Sequence, residues 1–362
     1  MGQCDFETMK SDAVATVNAC SAVLADKTLG PEQRGQALKM RGRALRFQSH
    51  VDYAIKDFDE ALKLMPNDPE LLEHRGLAAF DQKNYAYAAE LANRVIRENP
   101  NYAGGYDLLA VIKIQKKEDF AGAKKALDTA IKLGPADGIK YLQRFWLNYN
   151  WGLYPEALAA LEDALRAPGD VLDWQVATLV NRIEVPKRVE VIIRHAWLLG
   201  EMGRDDDAMR DFGGFVQQNP GFISYSFRAA FAFSRHNVKQ AQADIDAGYT
   251  YKPDFWFLNQ TQGRIYLREK KYDQALTIFT HLMTQVPPSG QDYWWRSNAW
   301  RGLNKNEEAI LDALIAMTDV DFVTVKLPEL TELGYYQPPS PGNELAAVKD
   351  ALAACFLDDR CN

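Results

Sequence analysis

Between Cys20 and Cys355 the chain contains no cysteine, although 334 residues intervene. The four it has, Cys4, Cys20, Cys355 and Cys361, stand at the two ends. That placement argues against a zinc site, because a C-x15-C and a C-x5-C do not match the usual ligand spacings. An even set confined to the ends reads instead as two staples made in an oxidising compartment. Three connectivities are open to four cysteines, and short loops favour Cys4–Cys20 with Cys355–Cys361. A single helix over residues 4–20, rising about 1.5 Å per residue, would hold the first two sulfurs more than about 20 Å apart. The chain before Ser11-Asp12, a candidate helix N-cap, is therefore expected to fold back on the helix that follows.

Other absences narrow the function. No apolar run approaches the ~18–20 residues of a membrane-spanning helix. Positive charge is not in excess: Lys+Arg 42 against Asp+Glu 49 gives −7, the wrong balance for a nucleic-acid footprint. Met1-Gly2-Gln3 lacks the basic start and apolar core of a signal peptide, so if the compartment is oxidising a mature chain with an added start is expected. Met-Gly-Gln-Cys resembles an acylation start, but Phe6 stands where that pattern wants Ser or Thr. There is no G-x-G-x-x-G, no P-loop, no G-x-S-x-G and no H-E-x-x-H, and the five histidines fall in separate segments. Asp205-Asp206-Asp207 lacks the spacing and bidentate Glu of a calcium loop and reads as a helix cap. No catalytic residue, metal or cofactor is expected.

What the sequence has is a period. Of its 16 prolines, six stand at Pro66, Pro100, Pro135, Pro220, Pro253 and Pro287, with gaps of 34 and 35, then, after a break, 33 and 34. Twelve residues before each lies an alanine: Ala54, Ala88, Ala123, Ala208, Ala241 and Ala275. Ala157 and Ala309 mark two further units without the proline. Each unit reads as two amphipathic helices. Leu38, Gly42 and Leu45 share one face of the first helix; Ala54, Phe58 and Ala61 share one face of the second. Small residues let the paired helices approach closely. Proline then ends the second helix, having no amide hydrogen for its ladder.

These residues resemble the tetratricopeptide repeat. Its small first-helix residue is similar to Gly42, Gly76, Ala110, Ala196, Ala229 and Gly263, and segments 54–68 and 272–288 match it well. Phe145 and Phe215 depart from the pattern. The resemblance covers residues 35–323 and implies an all-α fold: a right-handed α-solenoid of about eight antiparallel helix pairs with terminal capping helices. Its organisation is then an N-terminal cap, 1–34; repeats 1–4, 35–171; an insertion, 172–188; repeats 5–8, 189–323; and a C-terminal cap, 324–362. Within the insertion, Asp173 is expected to cap a short helix ending near Asn181. In the tail, "LTELGYY" followed by "AAVKDAL" is similar to the first part of a peptidoglycan-binding module.

The resemblance also implies a concave groove lined by first helices. By register, the later units contribute Trp146, Tyr149, Trp197, Phe233, Phe257, Arg264, Trp294, Asn298 and Arg301 to it, an aromatic surface with guanidinium groups near its end. Trp294 and Arg301 are two turns apart and share a face. Trp and Arg suit a carboxylate-bearing segment. The lysine and asparagine pattern of the family's carboxylate clamp is absent where Lys39, Arg43, Glu73, Asp107 and Val111 stand. The expected function is a non-catalytic scaffold, periplasmic or secreted, that holds a partner polypeptide in the groove. Binding or assembly of an envelope glycan, peptidoglycan or exopolysaccharide, is the alternative.

Overall fold

The computed structural model describes residues 4–134, 138–167, 178–180, 183–185, 187–338 and 344–356. The chain forms two compact units, Met1–Arg204 and Asp205–Asn362.

The first unit opens with α1 (Phe6–Ser11) and α2 (Ala13–Ala25), followed by four helix pairs. These are α3 (Pro31–Phe47) with α4 (Val51–Leu64), α5 (Pro69–Asp81) with α6 (Tyr85–Glu98), α7 (Ala103–Lys116) with α8 (Phe120–Leu133), and α9 (Gly138–Asn150) with α10 (Tyr154–Arg166). A two-stranded antiparallel hairpin, β1 (Thr178–Val180) and β2 (Ile183–Val185), precedes α11 (Lys187–Glu201). The second unit holds α12 (Asp205–Gln218), the pairs α13 (Phe222–Ser234) with α14 (Val238–Tyr251), α15 (Trp256–Arg268) with α16 (Tyr272–Gln285), and α17 (Gly290–Gly302) with α18 (Asn306–Ala316), then α19 (Val320–Glu332) and α20 (Glu344–Phe356). In each unit a first helix packs on its own partner and on the next first helix: α3 on α5, α5 on α7, α7 on α9; α13 on α15, α15 on α17. A face lined by first helices results.

The periodic residues do what their spacing predicts. All eight marker alanines, from Ala54 to Ala309, are fully buried. A methyl group at Gly42 would lie 2.6 Å from the Phe58 ring, and one at Gly263 2.7 Å from that of Phe279, so these glycines set the helix spacing. In the eighth repeat the same position is taken by Ser297, also fully buried.

The turn between paired helices is equally regular. Ser49, Lys83, Lys117, His236, Lys270 and Asn304 all adopt left-handed φ of 54° to 63°, as do Gly152 and Gly203 at 72° and 75°. In seven of these eight turns the next amide donates back to a carbonyl five residues earlier, as Asn84 does to Ala79 at 2.9 Å, so the exposed end of the first helix is satisfied. Asn84 and Asn237 go on to cap the second helix, accepting from the amides of Tyr87 and Gln240.

A bridge inside the repeat went unread in the sequence. Arg41, Arg228 and Arg296 each precede the small residue of a first helix, and each binds an aspartate sixteen positions on, in the second helix. Asp57, Asp244 and Asp312 receive these forks with both oxygens at 2.6–2.9 Å. Where the second helix lacks the aspartate, the arginine reaches back to the previous repeat, Arg75 to Asp59 and Arg144 to Asp128.

At the N-terminus the expected fold-back is present. Asp12 ends α1 and caps α2, accepting from the Ala15 amide at 2.8 Å, and Cys4 is bonded to Cys20 with Cα atoms 4.8 Å apart. Cys355 is buried in α20, and its expected partner Cys361 lies outside the described residues. The helix expected to end near Asn181 is corrected: Thr178–Val180 and Ile183–Val185 are paired strands, whose β-branched Thr178, Val180, Ile183 and Val185 favour extended backbone over helix, and Asn181 itself lies outside the described residues. Asp173 lies outside the described residues. The tail packs on the last repeat, where Leu330, Tyr336, Leu352 and Phe356 join Trp294, Ala313 and Ala316 in one core cluster.

Candidate functional site

Each unit holds a cleft on its first-helix face. That of the first unit has a volume of about 1010 Å³ and is walled by α1, α3, α5, α7 and α9. Its charges are largely satisfied within the fold. Arg43 pairs with Glu70, Arg46 with Asp81 at 2.6 Å, and the Tyr102 hydroxyl donates to Glu73. Lys39 is buried between Asp68 and Glu70 at 3.1 and 2.8 Å.

His74 lines this cleft with its ring stacked on Phe58. Burial pulls its pKa below the ordinary 6.5, outweighing the adjacent carboxylates. Glu70 is held well below its ordinary 4.5, first by His74, whose Nε2 stands 3.8 Å from its carboxylate, and then by Lys39 and Arg43. Both shifts have the same sign for folding. Below about pH 6.5 the unfolded chain takes up a proton at His74 that the folded chain refuses, and below about pH 4.5 the same holds at Glu70. Stability is thus expected to fall with pH in two stages. Urea unfolding of His74→Gln between about pH 7 and 5 should lose the first stage; an unchanged slope would refute the assignment.

The second-unit cleft, about 820 Å³, has a different chemistry. Arg264, Arg268, Lys270 and Arg301 line it, and none of its lining residues is acidic. Arg264 lies between two rings, with its guanidinium carbon 4.7 Å from the Phe233 centroid and 5.1 Å from that of Trp295. Among the described residues no carboxylate pairs with it. Burial alone acts on its pKa, lowering it from an ordinary value so high that the charge stays. Arg268 meets His236 Nδ1 at 2.8 Å. Asn298 presents a buried side-chain oxygen with no hydrogen-bond partner among the described residues. A ligand carboxylate would meet a guanidinium with unused donors, and a ligand amide would meet an unused acceptor.

The structure thus brings together four of the residues placed in the groove by register: Phe233, Arg264, Asn298 and Arg301. Two are corrected. Trp294, 4% exposed, is core: it packs at a tilt against Phe322 and Phe356, with Lys326 Nζ 4.2 Å above its ring. Its neighbour Trp295 takes the cleft position. Phe257, 3% exposed, packs edge-on against Phe227. Trp146, Tyr149 and Trp197 belong to the first unit. The Trp146 ring lies 4.4 Å under the Arg194 guanidinium, and Tyr149 packs on Trp146 and Tyr154 while its hydroxyl meets Glu201 at 3.2 Å. Burial, then the Glu201 charge, raises the Tyr149 pKa. Trp197 is half-buried on α11. Register missed Arg268, Lys270, Tyr272 and Phe356. The first three sit at or beside a turn, where their place on the wall depends on the left-handed residue rather than on helical spacing.

Stacked helix pairs with first helices lining a cleft define a helical-repeat interaction scaffold. Residues 39–103 match the family model of the tetratricopeptide repeat. Over 122 residues it is 26% identical to mitochondrial import receptor subunit TOM70 of Rattus norvegicus, a match covering 34% of this chain and 20% of that relative. Among solved structures, a tetratricopeptide repeat protein from Parabacteroides merdae is 17% identical with a TM-score of 0.41, over 80% of this chain and 93% of that one. A thermophilic protein of the same family from Thermus thermophilus is 24% identical with a TM-score of 0.43, over 56% and 99%. Among the described residues, no helix is long and apolar enough to cross a membrane.

Proposed function

We propose that the protein is a non-catalytic scaffold that holds an acidic segment of a partner polypeptide in the second-unit cleft. The observation that carries this reading is Arg264, half-buried between Phe233 and Trp295 with no carboxylate paired with it among the described residues. A half-buried cation held between two rings without a counter-charge has lost part of its hydration, and an incoming carboxylate offsets that loss while the rings shield the pair from water. A preformed cleft adds little ordering cost on its own side. A lining that carries Arg264, Arg268 and Lys270 and no acidic residue favours an anionic polypeptide over a neutral glycan. The buried Cys4–Cys20 disulfide supports an extracytoplasmic setting such as the periplasm.

Arrayed peptides graded from acidic to basic test the reading directly. Binding should rise with acidic content and weaken at higher salt. Arg264→Met, which keeps an apolar stem between the rings, should weaken the best binders by about 1–3 kcal/mol, the cost of losing an interface anchor. Equal retention of basic peptides, or unchanged affinity in the variant, would overturn it.

A further inference from the structure

The first-unit cleft already contains a peptide-like element, α1. Among the described side chains of this helix only Phe6 and Met9 are large and apolar, and both line the cleft. They are three positions apart and so share a face. Met9 is 4% exposed, and the Arg43 guanidinium lies 4.7 Å over the Phe6 ring. Six residues are far too few to hold a helix in isolation, so α1 owes its form to its seat and its clasp. Asp5 caps it by accepting from the Thr8 amide at 2.7 Å. The Cys4–Cys20 bond, both cysteines buried, ties it to α2 and keeps its local concentration high. The cleft is larger than this occupant needs: about 1010 Å³ stays open, and at the α9 wall the side-chain oxygen of Gln143 is buried with no hydrogen-bond partner among the described residues.

We propose that the first-unit cleft is a receptor for a partner helix bearing an aromatic residue and a flexible apolar residue three positions later. In this chain α1 is the intramolecular occupant of that receptor, clasped by Cys4–Cys20. A partner helix displaces α1, lays its aromatic residue under Arg43 and, being longer, supplies a donor to Gln143. This site is separate from the acidic-segment cleft and has its own ligand chemistry.

The probe is a fluorescein-labelled peptide copying residues 5–12, read by anisotropy against the full-length chain. Cys4→Ser/Cys20→Ser/Phe6→Ala/Met9→Ala removes both clasp and competitor, and should bind the peptide about tenfold or more tightly than the intact chain does. Adding Arg43→Ala should reverse the gain, as should a peptide with alanine in place of its phenylalanine. If the serine variants lose helicity, Phe6→Ala/Met9→Ala with the disulfide kept is compared with the intact chain and should also bind better. Equal binding by intact and vacated chains, or binding indifferent to the peptide's phenylalanine, would overturn the proposal. Arg264→Met should leave this peptide's affinity unchanged, so the two cleft readings fail separately.

Discussion

Trp294→Ala is expected to lower the unfolding free energy by about 3–5 kcal/mol, the range for emptying a buried tryptophan site. The indole contacts three elements at once: its own helix α17, Phe322 of α19 and Phe356 of α20. Removing it would leave a void that neither α19 nor α20 can close without giving up its own packing on Ala313 and Ala316. Lys326 would also lose its ring partner and keep only its 2.7 Å contact with Glu329. Urea unfolding followed by circular dichroism measures the effect, with Trp294→Phe as a milder control. A loss below about 1 kcal/mol would return this residue to the surface and contradict its burial.

A second large effect is expected at Asp244, which is 1% exposed and accepts from Arg228 at 2.9 and 2.6 Å and from Gln240 at 3.1 Å. Asp244→Ala strands the Arg228 guanidinium within the helix pair. Breaking one side of a buried pair costs about 3–5 kcal/mol, and the 19% exposure of the Arg228 side chain lets water recover part of this, leaving about 2–3 kcal/mol. The double variant Arg228→Met/Asp244→Leu should recover much of the loss, because two well-packed apolar chains replace an ion pair at little net cost. Additive single and double effects in a mutant cycle would show that the bridge carries no coupling.

The repeat was legible because it is written in residues whose role is steric. An alanine at a helix crossing admits no larger side chain, so its spacing survives in the sequence as all eight fully buried positions. Polar geometry was harder to read. The Arg–Asp bridge spans sixteen residues and two helices, and it occurs in three repeats while Arg75 and Arg144 find aspartates elsewhere. The register named Arg264, Asn298 and Arg301 correctly as cleft residues, because helical spacing is rigid from Gly263 and Ser297 onward. It failed at Trp294 for a tertiary reason. After the eighth repeat come α19 and α20, and what stands where another repeat would begin buries the face that Trp294 presents. The hairpin at 178–185 interrupts the period, so the spacing of the repeats carried no information about it.

The turns between paired helices carry a consequence for how such a chain can lengthen. All eight turn through a left-handed residue, and seven close with a bond from the next amide back into their own first helix, as at Asn84, Asn237 and Lys305. A duplicated module of 34 residues, the interval from Pro66 to Pro100, would therefore bring its own complete corner and ask nothing new of its neighbours. That freedom is directional. Spliced in among the interior modules, a copy meets the same small residues and the same alanines it left. Spliced between α18 and α19, it would pull Phe322 and Phe356 away from Trp294 and leave an indole facing water. Growth of the array is open in its interior and closed at the eighth module.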